Sequence, residues 1–242
     1  MELLNVRGLD ASYSGRPVLL DLDFSVGPGE RCLMIGPNGC GKSTLFKAIM
    51  GLVPFVNGFV EFENFRIDNL AIHHRVRRGI GFLQQTDNIF PGLSVRENLD
   101  LAMIRHKNGN VGHCQEQACS FFPDLKKHLD RRAGLLSGGL RQQLAIAMVL
   151  TRGRKLLLLD EPTAGLAPLA AQELLARIED ISNTAGLLGI TAIVIIEHRF
   201  RGLKKWISRL VGLKNGKIVI DNSANPRGAL EDKQTMEKIF FA

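Results

Sequence analysis

Gly36-Pro37-Asn38-Gly39-Cys40-Gly41-Lys42-Ser43-Thr44 carries the chemistry of a phosphate-binding loop. In the pattern G-x-x-x-x-G-K-[ST], glycines bare backbone N–H groups to a pyrophosphate, the lysine reaches the outer phosphates and the hydroxyl holds Mg²⁺. Further along, Leu156-Leu157-Leu158-Leu159-Asp160-Glu161 ends an apolar run in two carboxylates. Asp160 there can bind Mg²⁺ directly or through water, and Glu161 is placed to polarise an attacking water; the plainer alternative is a capping pair before the turn at Pro162. Between these segments, Ser137, Gly138 and Gly139 open a helix, where free N–H groups and the helix dipole favour an anion. The same residues also suit an ordinary N-cap. His198 follows an apolar strand, at the end where ligands of open α/β sheets gather, whereas His73, His74 and His106 lack such a setting and read as surface residues.

The elements that must position these groups are legible in the hydrophobic pattern. Leu3 to Leu9 and Val18 to Val26 alternate as half-buried strands. After the Gly27-Pro28-Gly29 turn, Arg31 to Ile35 is an apolar strand that delivers the phosphate loop, and Lys42 to Met50 continues as a helix. Strand, glycine loop, helix is the context the motif requires. Val60 to Ile67 is expected to be a strand, Ala71 to Arg78 a short helix and Ile80 to Gln84 a strand. Residues from about Ser94 to Leu135 are helix-like, broken at Lys107-Asn108-Gly109-Asn110 and near Pro123, as in an inserted helical lobe. Leu144, Ile146, Ala147 and Leu150 make a helix after Gly139; Leu174, Leu175, Ile178 and Ile181 make another. Leu156 to Leu159 and Ala192 to Ile196, within the longer apolar stretch from Leu187, read as buried parallel strands. Asn215-Gly216 signals a hairpin, and Glu231 to Phe240 a small terminal helix. The alternation predicts a parallel α/β core.

Leu136-Ser137-Gly138-Gly139-Leu140-Arg141-Gln142-Gln143, ahead of Asp160-Glu161-Pro162-Thr163, resembles the signature and Walker-B regions of ATP-binding-cassette (ABC) ATPases. The resemblance runs along nearly the whole chain. It implies an α/β P-loop NTPase cassette, with a mainly parallel core sheet, an antiparallel β subdomain and an inserted helical lobe. One cassette would fill residues 1–242, with the core at about 1–93 and 137–242 and the lobe at about 94–136. ATP and Mg²⁺ are the implied ligands. Tyr13 matches the aromatic that stacks on adenine, residues 36 to 44 the phosphate loop, Gln85 the glutamine that binds the metal or senses the water, and His198 the switch histidine. Gln84 stands where the family often has proline. Ser137, Gly138 and Gly139 would complete the pocket of a second cassette, in a homodimer or a heterodimer. Lys42, Gln85, Glu161 and His198 form the hydrolytic set, with Ser43, Gln85 and Asp160 on the metal.

Two residues depart from the pattern. Leu140 stands where a glutamine is common, and Ala167 where the family has an aspartate. Gly81-Phe82-Leu83-Gln84-Gln85, the segment from Ile89 to Leu99 and Gly165-Leu166-Ala167-Pro168 look like the ATPase subunits of branched-chain amino-acid importers. That likeness implies transmembrane permease subunits and, indirectly, a solute-binding protein. Lipopolysaccharide-export ATPases are a similar single-cassette alternative. A soluble cassette ATPase working on ribosomes or DNA usually has two cassettes or a coiled-coil insertion, and a phosphate-loop kinase would lack the Leu136 to Gly139 signature.

Composition sets the outer limits. The 242 residues are 45% hydrophobic and 23% charged, ordinary for a globular chain rather than a disordered or fibrous one. No apolar stretch approaches the ~20 residues of a membrane span, and Met1-Glu2-Leu3-Leu4-Asn5 lacks the pattern of a secretory signal. A cytoplasmic location is expected, peripheral on the inner face of the cell membrane given the resemblance. Cys32, Cys40, Cys114 and Cys119 are spaced irregularly, one inside the phosphate loop, which argues for thiols over a disulfide scaffold; His113, Cys114 and Cys119 lack the paired spacing of a zinc site. The net charge of +7 comes with short basic clusters such as Arg75-Val76-Arg77-Arg78. These read as a solvated basic surface without the aromatic interleaving of a nucleic-acid platform; charge leaves the partner open, and given the resemblance no nucleic-acid partner is expected.

Overall fold

The computed structural model describes residues 2–13, 15–103, 111–152, 155–183, 190–199 and 201–241. In chain order the strands are β1 (Leu4–Tyr13), β2 (Arg16–Val26), β3 (Arg31–Ile35), β4 (Phe55–Phe62), β5 (Phe65–Arg66), β6 (Ile80–Leu83), β7 (Leu156–Asp160), β8 (Ala192–Ile196), β9 (Arg209–Lys214) and β10 (Lys217–Asn222). The helices are α1 (Lys42–Ile49), α2 (Ile72–Arg77), α3 (Val95–Met103), α4 (Val111–Phe121), α5 (Gly138–Arg152), α6 (Pro168–Asn183), α7 (Pro226–Glu231) and α8 (Lys233–Phe240). An antiparallel sheet has the order β2-β1-β4-β5, and a larger sheet the order β10-β9-β3-β8-β7-β6. In the larger sheet β9, β3, β8, β7 and β6 are parallel, and β10 turns back on β9 through Asn215 and Gly216, both at positive φ.

Every residue of β7 and β8 is buried, as expected for parallel strands covered on both faces. Successive side chains point to opposite faces, so each apolar run serves two cores. Leu33, Ile35, Leu157, Leu159, Ile193 and Ile195 pack with α5, α6 and the helical lobe. Cys32, Met34, Leu156, Leu158 and Val194 pack instead with Leu45, Phe46 and Ile49 of α1, and with Leu4, Val6 and Leu22 of the antiparallel sheet. Each fully buried Leu or Ile contributes roughly 1.5–3 kcal/mol. The core sheet is therefore held from both sides.

The lobe starts with a capping box at α3. Ser94 N–H donates to Glu97 Oε2 at 2.7 Å while Glu97 N–H donates to Ser94 Oγ at 3.1 Å, the reciprocal pairing that an S-x-x-E sequence permits. Leu99, Ala118, Phe122 and Leu125 join the core there. The expected break at Lys107 to Asn110 lies outside the described residues, as do 187–189 on the approach to β8. Among the described residues no helix is long and apolar enough to cross a membrane.

Two expectations need correction. Val60 to Ile67 is not one strand: the chain reverses at Glu63 and Asn64, at φ 53° and 58°, between β4 and β5. Both turn residues take the left-handed conformation of a tight hairpin, but neither is the glycine or proline that most strongly marks a turn. The expected terminal helix is α8, with the short α7 ahead of it, and the Asp232 carboxylate caps α8 by accepting from Thr235 N–H at 2.8 Å. Arg75 does not belong to a solvated basic cluster. It is 1% exposed, and its guanidinium donates to the carbonyls of Ala48 and Ile49 at the end of α1 and of Asp68 and Leu70.

Arg75 thus closes the carboxyl end of α1, the helix that follows the phosphate loop. Replacing it with leucine strands those carbonyls, and a loss of roughly 3–5 kcal/mol is expected. Lysine cannot reproduce the planar fork, so Arg75→Lys should recover only part of it. Urea unfolding midpoints for the three proteins measure this; an unchanged midpoint in Arg75→Leu would remove the guanidinium from the stabilising framework.

Candidate active site

β3 hands the chain to residues 36–41, and α1 begins at Lys42. A Cβ on Gly36 would stand 2.1 Å from the Leu213 carbonyl oxygen of β9. Only glycine lets the loop lie so close to the neighbouring strand. Gly41 sits at φ 112°, and its Cβ would stand 2.7 Å from Leu19 Cδ2, so it turns the loop directly into the helix. The first N–H groups of α1 then lack helical partners. Lys42 is 5% exposed; its Nζ donates to the carbonyls of Gly36 at 2.8 Å and Pro37 at 3.0 Å and lies 3.8 Å from Cys40 Sγ. These partners are neutral, which leaves the ammonium charge available to an anion. Burial pushes the Cys40 thiol up, against the pull of Lys42.

The parallel ladder brings the other groups to the same level. Met34 pairs with Ile196, Ile196 with Asp160, and Leu83 with Leu159. Ser43 Oγ donates to Asp160 Oδ1 at 3.0 Å. Asp160 is 2% exposed, and its carboxyl is held above the ordinary value by burial, with the charge of Glu161 adding and the Ser43 hydrogen bond opposing. Glu161 N–H donates to Ile196 O at 3.0 Å, and the residue adopts φ 47°, a left-handed conformation uncommon outside glycine. Its two carboxylate oxygens are both engaged: Gln85 Nε2 donates to Oε2 at 3.0 Å, and His198 Nε2 lies 3.0 Å from Oε1.

These groups face one cleft of about 380 Å³, lined by Asn38, Gly39, Gly41, Lys42, Ser43, Thr44, Gln85, Glu161 and His198. Cationic lysine, helix amides and a carboxylate around one cleft suit a polyphosphate attacked by water. Asp160 and Ser43 present hard oxygen ligands of the kind Mg²⁺ takes. The residues read from the sequence are otherwise distributed differently. Gly36, Pro37 and Cys40 build the loop around Lys42 without lining the cleft. Ser137, Gly138 and Gly139 stand apart from it, at the start of α5, where Ser137 Oγ accepts from Leu140 N–H at 3.3 Å. The backbone of Tyr13 ends β1, but its side chain lies outside the described residues. Gln84 does not compete with Gln85, because Asn88 holds its backbone N–H and C=O.

His73 and His74 are exposed, as expected, and His106 lies outside the described residues; so do the side chains of His113 and Cys114. Leu140 packs partly buried against the helical core, and Ala167 is exposed.

Two buried residues escaped the sequence reading. Glu197 is 3% exposed and Thr163 also 3%, and Thr163 N–H donates to Glu197 Oε1 at 2.9 Å. The available signal was a carboxylate directly between an apolar strand and His198. Burial raises the Glu197 carboxyl above its ordinary 4.5, while hydrogen bonds from Thr163, Arg199 and His198 pull it down. A carboxyl raised on folding stabilises the fold fully below 4.5 and loses that contribution as pH rises through the raised value. Wild type should therefore lose stability relative to Glu197→Gln as pH climbs from that point to neutrality. Urea midpoints of both proteins across this window test it, and parallel curves would contradict it.

The family model described as "ABC transporter" matches residues 19–164. A probable branched-chain amino acid transport ATP-binding protein of Archaeoglobus fulgidus is 35% identical over 223 residues, covering 92% of this chain and 93% of the relative. The lipopolysaccharide export system ATP-binding protein of Escherichia coli K12 is 32% identical over 235 residues, 96% of this chain and 95% of the relative. A solved ATP-binding cassette of an ABC transporter superposes with a TM-score of 0.85 at 29% identity, covering 98% of both chains. With the phosphate loop, the carboxylates of β7 and the histidine after β8 meeting in one cleft, the chain belongs to the ABC transporter family, as an ATP-binding cassette that hydrolyses ATP to drive transport.

Proposed function

We propose that this chain is the energy-coupling subunit of an importer for branched-chain amino acids or related solutes. The carrying observation is Glu161, bracketed by Gln85 and His198 at the mouth of the phosphate loop. In this reading the whole chain is one cassette, with the core at about 1–93 and 137–242 and the helical lobe at about 94–136. Lys42 and the amides of residues 36 to 44 bind the β- and γ-phosphates, and Tyr13 stacks on adenine. Glu161 orients the attacking water and accepts its hydrogen bond, Gln85 monitors that water and the metal, and His198 contacts the γ-phosphate. Ser43, Asp160 and Gln85 would hold Mg²⁺, which would neutralise charge on the phosphate oxygens.

Ser137, Gly138 and Gly139 act on a second cassette. Their place outside their own cleft, with Ser137 and Gly138 exposed at the amino end of α5, supports this role, because helix amides there suit an anion brought by a partner. ATP binding closes the pair, hydrolysis reopens it, and permease subunits at the inner face of the membrane convert the cycle into alternating access. Closure is a population shift driven by the difference in ATP affinity between open and closed dimers.

The importer reading draws on the Archaeoglobus relative; lipopolysaccharide export, drawn from the Escherichia relative, is the second reading. Glu161→Gln should lower ATP turnover about 10²–10⁴-fold, the range for a general base, while an ATP-dependent dimer persists on size-exclusion chromatography. Retained turnover would remove Glu161 from hydrolysis. Separately, the chain purified with its membrane partner should show ATPase stimulation by branched-chain amino acids plus the matching solute-binding protein. Stimulation by lipopolysaccharide instead would decide for export.

A further inference from the structure

The turn after Glu161 and the segment holding His198 are joined by a buried carboxylate that touches neither nucleotide site nor solvent. Glu197 is 3% exposed and immediately precedes His198. It accepts a hydrogen bond from the N–H of Thr163, two residues beyond Glu161, at 2.9 Å. Burying a carboxylate is costly unless several donors meet it. Here a donor comes from the turn that follows the acid, and the carboxylate from the segment that carries the histidine.

Glu161 needs such support. It sits at φ 47°, and a residue in that region persists only where its surroundings over-determine it. Ala164 N–H closes the turn on Glu161 O at 3.0 Å, and Glu161 N–H is fixed to Ile196 O at 3.0 Å. Arg199 Nη1 reaches Leu166 O at 3.1 Å. Of these links, the Glu197 carboxylate is the one made by a buried side chain. A leucine of similar size would fill the space but leave the Thr163 N–H without its acceptor.

We propose that Glu197 is a positioning residue whose carboxylate clamps the backbone of Thr163 to the segment carrying His198, and so sets the 3.0 Å separation of His198 Nε2 from Glu161 Oε1. The proposal rests on the assignment of Glu161 and His198 to hydrolysis, but the clamp itself can be read without turnover. In the full chain labelled with ¹⁵N-histidine, the His198 imidazole signals are assigned by their loss in His198→Gln. Glu161→Gln should move them in the wild-type background, because the two side chains touch. In Glu197→Leu and Glu197→Gln backgrounds, that response should shrink or vanish, the non-additivity expected of coupled groups. An equal response in all three backgrounds overturns the clamp.

In the complex with its membrane partner, kcat per nucleotide site should fall on the order of tenfold in Glu197→Gln and further in Glu197→Leu, with the KM for ATP within about twofold of wild type, as for misoriented catalytic groups. A merely structural role would lower the number of active sites without this split. Glu197→Gln keeps the volume and one acceptor, so it carries both readouts if the leucine variant does not fold. Retained turnover in Glu161→Gln would remove the hydrolytic assignment and leave the imidazole result standing.

Discussion

The registration of β3, β8 and β7 in the parallel ladder is the constraint on which the site depends. Met34, Ile196 and Asp160 lie in one row across the three strands, so the loop after β3, the histidine after β8 and the carboxylates after β7 leave the sheet at one height. A slip of one residue would turn each strand's side chains to the opposite face. That slip is opposed because both faces are spoken for, with Leu157 and Leu159 in one core and Leu156 and Leu158 in the other. Apolar packing far from any ligand therefore sets distances within the cleft.

The same convergence crowds charge. Asp160 feels the charge of Glu161, and like charges in a low-dielectric interior repel strongly. Each carboxylate has its own donors: Ser43 for Asp160, Gln85 and His198 for Glu161, and Thr163 for Glu197. Lys42 is the counterpart, with carbonyls rather than a carboxylate around its ammonium. Positive charge left uncancelled beside the amino end of α1 is what a polyphosphate seeks. The arrangement keeps acid and lysine apart from one another, each in a separate hydrogen-bond set.

Motifs were legible wherever chemistry lies along the chain. The glycine loop, the paired carboxylates after the leucine run and the histidine after β8 each depend on neighbours in sequence, and the structure brings Lys42, Ser43, Gln85, Glu161 and His198 to one cleft. Elements with strong periodicity were equally plain, including β3, β8 and the Asn215-Gly216 hairpin. The misreadings occurred where a polar side chain serves a distant backbone. Arg75 binds carbonyls of α1 and of the segment before α2, and nothing local distinguishes it from Arg77 or Arg78. The Glu63-Asn64 reversal was hidden for another reason: neither residue is a glycine or proline, the strongest markers of a turn.

The sequence by itself determined the strand-loop-helix unit, the order of the parallel strands' apolar runs and the types of group available for phosphate chemistry, because these rest on period and on adjacency. Only the tertiary structure decided that Glu197 is buried against Thr163, that Arg75 is interior, and that Ser137 to Gly139 stand outside the cleft formed by their own chain. The physical reason is that burial and hydrogen-bond satisfaction belong to pairs of segments. A charged residue reads the same on a surface or in a core until the strand or helix that covers it is in place.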